Sequence, residues 1–200
     1  MWQRKAIWSM LWNSKDCSLM VNRVEQQHLA TIFKALAFSA RKHRDQRRKD
    51  PAASPYINHP IALAEVLSCE ADIIDVEVVC SALLHDTVED TETTQAELAQ
   101  VFGERISRIV MEVTDDFSQS KAERKQLQIE HAAHISDQAK LVKLADKICN
   151  LRDVAECPPP EWSLQRRREY FDWAKQVIDQ LRGINIKLEA LFDEVYARRP

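Results

Sequence analysis

Glycine is almost missing from this chain of 200 residues; only Gly103 and Gly183 occur. A phosphate cradle of the Walker or dinucleotide-binding type needs several glycines close together, so that backbone N–H groups can wrap the anion. This chain cannot build one, and any phosphate chemistry must rest on side chains or a metal. Long apolar runs are also lacking, and none approaches the roughly 18 residues of a membrane span. The cysteines Cys17, Cys69, Cys80, Cys149 and Cys157 are odd in number and include no CxxC pair. Such spacing reads as reduced, packed thiols in a cytoplasmic protein. Net charge is only −3, which gives no whole-chain reason to expect a nucleic acid or a membrane as partner. Repeats, low-complexity tracts and alternating strand patterns are likewise absent.

What the chain does contain is helical periodicity. Leu29, Ile32, Phe33, Leu36, Ala37 and Ala40 recur at spacings of three and four, which predicts a helix over 24–44 with these residues as its buried face. Residues 45–58, with Pro51 and Pro55, interrupt the pattern. Pro60 suits the first residue of the next helix, 60–69. A strongly apolar helix is expected over 75–91. Thr94 and Glu97 have capping-box spacing and open a short helix ending near Phe102. Further helices are expected at 104–116, 121–134, 137–155, 163–182 and 184–197, with Pro158, Pro159 and Pro160 forcing a loop. The fold class is therefore all-α. At the start of the chain, Arg4 and Lys5 precede a short apolar stretch, Ala6 to Trp12. It is too short for a convincing signal peptide and no A-x-A-like site follows. Residues 1–20 are read as a peripheral extension, a presequence being the alternative, and 21–200 as the folded domain.

Chemistry concentrates at the end of the helix expected over 75–91. His85 and Asp86 follow an apolar run, and Glu89 and Asp90 lie four residues beyond each of them, on neighbouring helix surface. Three carboxylates and an imidazole within six residues repel one another unless a cation is present, and imidazole with carboxylate suits Mn²⁺, Fe²⁺ or Zn²⁺. His59 sits in the segment 56–60 at a loop-to-helix junction, where it can project past the helix end or simply cap a turn. On the helix over 137–155, Lys143, Asp146, Asn150 and Asp153 form one polar stripe, opposite Leu141, Leu144, Ala145, Ile148 and Leu151. The stripe can be a solvated face or the wall of a cleft. The six lysines and arginines between positions 41 and 49 are open to three readings: a solvated helix end, a nucleic-acid patch or a phosphate-recognition segment. Trp162 and Trp173 are read as packing residues rather than a base platform.

The segments 56–60, 85–91 and 143–153 together resemble the HD-domain hydrolases of the RelA/SpoT group, most nearly the small stand-alone hydrolases called metazoan SpoT homologues. Segments 41–44, 46–50 and 112–116 also look like that family, and the resemblance covers roughly residues 28–195. It implies a single HD-domain helical bundle holding one divalent ion, Mn²⁺, on His59, His85, Asp86 and Asp146, with Zn²⁺ or Fe²⁺ possible. His43 falls outside this ligand set as a supporting residue. The family's catalytic acidic pair falls on Glu89 and Asp90.

Substrate contacts are expected from Arg48, Lys49, Lys121, Arg166 and Tyr170, with Asn150 and Tyr56 shaping the nucleoside pocket. The implied reaction removes the 3′-pyrophosphate of (p)ppGpp, releasing GDP or GTP and pyrophosphate. A divalent ion assists such a step by lowering the pKa of a bound water. Three alternatives stand beside it: 2′-dephosphorylation of NADPH, a nucleotidase of another HD group, and a nucleotide-binding sensor without activity. The sensor should lack a ligand or the acidic pair, and this sequence has all six residues. Phe117, after Asp115 and Asp116, departs from the polar residue the family tends to carry there.

Overall fold

The computed structural model describes the backbone from residue 14 and the side chains from residue 23 onward. Among the described residues ten α-helices follow one another. They are α1 (Ser14–Lys42), α2 (Asn58–Glu65, continued by a π turn at Val66–Glu70), α3 (Val76–Leu84), α4 (Thr87–Asp90) and α5 (Gln95–Phe102). Then come α6 (Glu104–Val113), α7 (Lys121–Ala132), α8 (Asp137–Glu156), α9 (Leu164–Asp179) and α10 (Ile186–Tyr196). No strand forms among the described residues; the one extended pairing is an isolated antiparallel bridge between Arg47 and Pro55. The all-α expectation holds.

Helix starts follow the short polar side chains. Asp75 accepts the backbone N–H groups of Glu77 and Val78, Thr94 that of Glu97, and Ser136 that of Ala139. Each satisfies a donor that has no intrahelical acceptor. A reciprocal capping box forms at Ser120 and Glu123. At Thr94 only half of one forms, because the Glu97 carboxylate turns away to Lys42, 3.1 Å distant. The α2 helix begins two residues before Pro60. The proline still lies in the first turn, where its missing N–H removes no helical bond.

Two hydrophobic clusters meet at α3. Val78 and Ala82 face the larger one, with Leu63 and Leu67, Leu144, Ile148 and Leu151 of α8, Phe171 and Ile178 of α9, and Phe192 of α10. Cys80, Leu83 and Leu84 face the other, with Ala35 and Phe38 of α1, Leu98 of α5, and Ile106 and Val110 of α6. Seven of the nine residues of α3 are buried, as a helix apolar on all sides must be.

Two expectations are corrected. The helix over 75–91 is not continuous; it breaks at His85 and Asp86, where Asp86 adopts φ −94° and ψ −1°. The Thr87 hydroxyl takes the Leu84 carbonyl at 2.6 Å, so the break leaves that acceptor satisfied. The buried face of α1 is also rotated from the one expected. Ala35 and Phe38 are buried, whereas Leu29 and Phe33 are 55% and 59% exposed. Both stripes have helical spacing, and the partner surface of α3 chooses between them.

The boundary after residue 20 falls inside α1, which crosses it without a backbone break. The apolar stretch from Ala6 to Trp12 lies outside the described residues. Phe38, 5% exposed, meets Phe102 edge-on with ring centroids 5.3 Å apart. Phe38→Ala is therefore expected to cost about 3–5 kcal/mol, and Phe33→Ala less than about 0.5 kcal/mol. Urea unfolding of both variants checks this; equal losses would restore the face read from periodicity.

Candidate metal and substrate site

His59 stands in the first turn of α2, His85 and Asp86 in the turn between α3 and α4, and Asp146 halfway along α8. These elements bring the four side chains to one point. His59, His85 and Asp146 offer ligand atoms all within 4.8 Å of one another. His59 Nε2 lies 3.3 Å from Asp146 Oδ1 and 3.9 Å from Asp86 Oδ2. Asp86 adjoins the group through His85, whose Nε2 is 2.9 Å away. Both histidines are buried.

The hydrogen bonding fits a divalent cation. His85 Nδ1 lies 2.7 Å from the Ala82 carbonyl. That contact makes Nδ1 the protonated nitrogen and leaves the Nε2 lone pair facing the cluster, the arrangement by which a second partner fixes a metal-binding imidazole. His85 Nε2 is buried and makes no hydrogen bond among the described residues, for its contact with Asp86 is close but off the line such a bond needs. The carboxylates are braced from outside. Tyr56 donates its hydroxyl to Asp86 Oδ2. Asn150 Nδ2 donates to Asp146 Oδ1 at 2.5 Å and Lys147 Nζ to Asp146 Oδ2 at 3.0 Å.

Electrostatics point the same way. Burial alone would lower the pKa of His85, but the adjoining Asp86 and Asp146 overcome it and push the imidazole up to about 9. Burial lowers that of His59. Burial opposes ionisation of Asp86 and Asp146 too, yet His85 holds the first, and Lys147 with His59 the second, below the usual carboxylate range. In the absence of a cation, the proton on His85 balances the two carboxylates. Glu89 differs. Burial first, and then the charge of Asp86, push its pKa up to about 7, while its Oε2 accepts the Asp115 N–H at 3.1 Å. Asp90 is exposed, and its Oδ2 accepts from Gln46 Nε2 at 2.7 Å.

The cluster lies where two adjoining spaces meet, and His59 and Asp86 line both. A cleft of about 1020 Å³ opens on one side, and Arg48, Lys49, Lys121, Arg166, Tyr170 and Asn150 line it together with Tyr56, Glu89 and Asp90. All the substrate-contact residues expected from the sequence thus reach one cleft. An adjoining space of about 230 Å³ is lined by all four side chains of the cluster; it shares Arg48, Tyr56, Glu89, Asn150 and Tyr170 with the larger cleft and adds Lys143, Lys147, Asp115, Gln128 and Trp173. The polar stripe of α8 lines these cavities and is not a solvated face.

The segment over 45–58 is more ordered than its prolines suggest. Arg48 N donates to the Ser54 carbonyl and Tyr56 N to the Gln46 carbonyl, so the segment doubles back and presents Arg48 and Lys49 to the cleft. Arg48 pairs with Asp153 and lies over the Tyr56 ring, 5.7 Å from its centroid. Tyr56 and Asn150 line the cleft as expected, and each is also tied to a carboxylate of the cluster.

Sequence reasoning missed two neighbours and one edge of a third. Gln46 links Asp90 to buried His43, whose Nδ1 lies 2.6 Å from the Gln46 amide oxygen. Lys125 lines the cleft, 4.7 Å from the Trp173 ring centroid. Trp162 packs against the larger hydrophobic cluster, as read, and its other edge is a cleft wall with the Arg166 guanidinium 4.4 Å from its ring centroid. A helix-period pattern marks Trp as apolar and cannot say that one edge faces a cavity. Phe117 is 55% exposed, with the Arg124 guanidinium 4.2 Å from its ring centroid.

Comparison with known proteins agrees with this geometry. The HD domain family matches residues 35–172. A zebrafish (Danio rerio) protein named guanosine-3′,5′-bis(diphosphate) 3′-pyrophosphohydrolase MESH1 is 56% identical over 85% of this chain and 94% of its own length. The human protein of the same name is 54% identical over 85% of this chain and 95% of its own. A solved structure, described as a metazoan ortholog of SpoT that hydrolyses ppGpp and plays a role in starvation responses, superimposes with a TM-score of 0.83. It is 50% identical and covers 85% of this chain and 96% of that one. The chain therefore belongs to the HD domain family and, within it, to the family of the MESH1 pyrophosphohydrolases.

Proposed function

We propose that this protein is a Mn²⁺-dependent hydrolase of the 3′-pyrophosphate of (p)ppGpp, with His59, His85, Asp86 and Asp146 as metal ligands. The observation that carries the reading is the convergence of two buried imidazoles and two braced carboxylates on one space that also holds Arg48, Lys143 and Lys147 and adjoins the larger cationic cleft. It is supported by relatives whose names state that reaction. A divalent ion held there supplies Lewis-acid activation of water and charge for the reacting phosphate.

The chain's own residues do the rest. Glu89, half-buried and with its pKa pushed up to about 7, is suited to take a proton from the attacking water at neutral pH. Asp90, held by Gln46, orients the water or passes a proton toward the leaving oxygen. The water oxygen bonds to the phosphorus attached to the ribose 3′-oxygen, that P–O bond breaks, and the proton ends on the 3′-hydroxyl. Arg48, Lys49, Lys121 and Arg166 offset the charge of the remaining phosphates. NADPH also presents a phosphate on its ribose, at the 2′ position, and is the competitor to test.

Three outcomes are expected. Cation binding must displace the proton from His85 Nε2. Because its pKa is raised, the proton is present below about pH 9, so affinity should climb with pH by up to about tenfold per unit below that value. Calorimetry with Mn²⁺ between pH 6.5 and 8.5 reads this, and an affinity constant across the range would exclude His85 as a ligand. Glu89→Ala and Asp90→Ala should each lower kcat by about 10²–10⁴ while bound Mn²⁺ stays near one per chain. Full turnover in both would mean that the acid–base pair lies elsewhere. On one Mn²⁺-loaded preparation, kcat/KM should be higher for ppGpp than for NADPH or GMP, and Arg48→Glu should raise KM without loss of metal. GMP as the best substrate would make the protein a plain nucleotidase.

A further inference from the structure

His43 plays no part in the reading above. It stands just past the end of α1, where its N–H donates to the Ser39 carbonyl at 2.9 Å. It is 2% exposed and lines neither space around the cluster. The Tyr56 ring covers it, with ring centroids 4.8 Å apart. Its Nδ1 lies 2.6 Å from Gln46 Oε1, and Gln46 Nε2 donates to Asp90 Oδ2 at 2.7 Å. His43 Nε2 is buried and has no partner among the described residues. Asp90 is exposed, so nothing around it confines its side chain. Among the described residues the Gln46 amide is the only side-chain donor to its carboxylate.

These contacts have one consistent direction. A carboxylate only accepts, so the end of the Gln46 amide that meets Asp90 is its NH₂. The other end, Oε1, then faces His43 and also only accepts. Nδ1 must therefore carry the imidazole proton, which leaves Nε2 as a bare lone pair. The unpartnered Nε2 agrees, because a proton there would be a buried donor with no acceptor. With the proton on Nε2 instead, Nδ1 would call for the NH₂ of Gln46. The amide would turn over, and its oxygen would face the Asp90 carboxylate and push it out of place. We infer that His43 is a positioning residue for the hydrolysis, whose Nδ1–H fixes the Gln46 amide and so presents Asp90 to the attacking water as an acceptor. Asp90 then orients the water, and delivery of the proton to the ribose 3′-oxygen falls to Glu89, which has taken it from that water. The competing account is that His43 merely fills space beneath Tyr56.

This inference rests on the hydrolase reading, and the first of its tests needs no turnover. Two-bond ¹H–¹⁵N spectra of the full-length protein, with diamagnetic Zn²⁺ in place of Mn²⁺, should show the His43 proton on Nδ1. The signal is assigned by its absence from His43→Asn, and a bare Nδ1 overturns the inference. Kinetics on the Mn²⁺-loaded protein form the second test. His43→Leu fills the space but cannot donate. It should lower kcat for ppGpp about 10–100-fold, with KM within about twofold and bound Mn²⁺ unchanged. His43→Asn places an amide nitrogen where Nδ1 stood and should restore most of kcat, although it packs less well. A space-filling role predicts the reverse order, with Leu more active than Asn, and that order overturns the inference. Gln46→Leu should match His43→Leu, and the double variant should lose no more than either alone; additive losses also overturn it. Should His43→Leu fail to fold, the spectrum and the comparison of His43→Asn with Gln46→Leu still decide. Wild-type turnover with a fully active His43→Leu defeats the positioning role alone, whereas a wild type that leaves ppGpp intact defeats the hydrolase reading beneath it.

Discussion

Two carboxylates and two imidazoles are pressed together where α2, the α3–α4 turn and α8 meet, and the surrounding structure is organised by the cost of that burial. A buried charge without partners is strongly destabilising, and even a good pair barely recovers its desolvation. Three of the four members have an outside brace: the Ala82 carbonyl for His85, the Tyr56 hydroxyl for Asp86, and Asn150 with Lys147 for Asp146, while His59 Nδ1 is buried without a partner among the described residues. The braces come from three segments of the chain, α3, the loop before α2, and α8. They leave the inward lone pairs uncompensated, which is the condition a cation relieves.

The same constraint accounts for the break in the central helix. If α3 ran on through Asp90, His85 and Asp86 would project about 100° apart around the helix axis and could not both reach the α8 carboxylate. Ending α3 at Leu84 and turning at Asp86 puts the two side chains side by side. Asp86 stands at the N-cap position of α4 but makes no capping bond, because its carboxylate is committed to Tyr56 and His85. Burial of α3 on all sides holds the turn in place: one face packs on α8 and α2, the other on α1, α5 and α6.

How much of this was legible in the sequence varies with the physics. Helix positions were, because apolar spacing, Ser and Asp caps and the proline run act locally. The proposed ligand quartet was legible only through resemblance, since His59 and Asp146 are 87 positions apart and spacing within one helix says nothing about which helices meet. The α8 stripe was ambiguous for the same reason, as a polar face looks alike whether it meets solvent or a cleft. For α1, two overlapping stripes of helical period were available, and only the complementary surface of α3 selects Ala35 and Phe38 over Leu29 and Phe33. Gln46 and Lys125 were missed because their roles depend on what lies opposite them. A lysine on a helix ordinarily reads as exposed, and its burial against a cavity is a tertiary fact.

Positive charge around the cluster is held in two ways. In the outer cleft the arginine is mobile currency between acceptors: Arg48 rests on Asp153, whose side chain is 52% exposed. A pair so open to solvent is worth about 0–1 kcal/mol, whereas a charge-assisted bond to a phosphate contributes about 1.5–3 kcal/mol. An incoming phosphate can therefore take Arg48 from Asp153 at little cost, and the released carboxylate stays hydrated at the rim. Lys147 differs, because it is buried and held on Asp146 at 3.0 Å, so its charge stays fixed beside the cluster while that of Arg48 can move. Exchangeable and fixed positive charge thus line the same site.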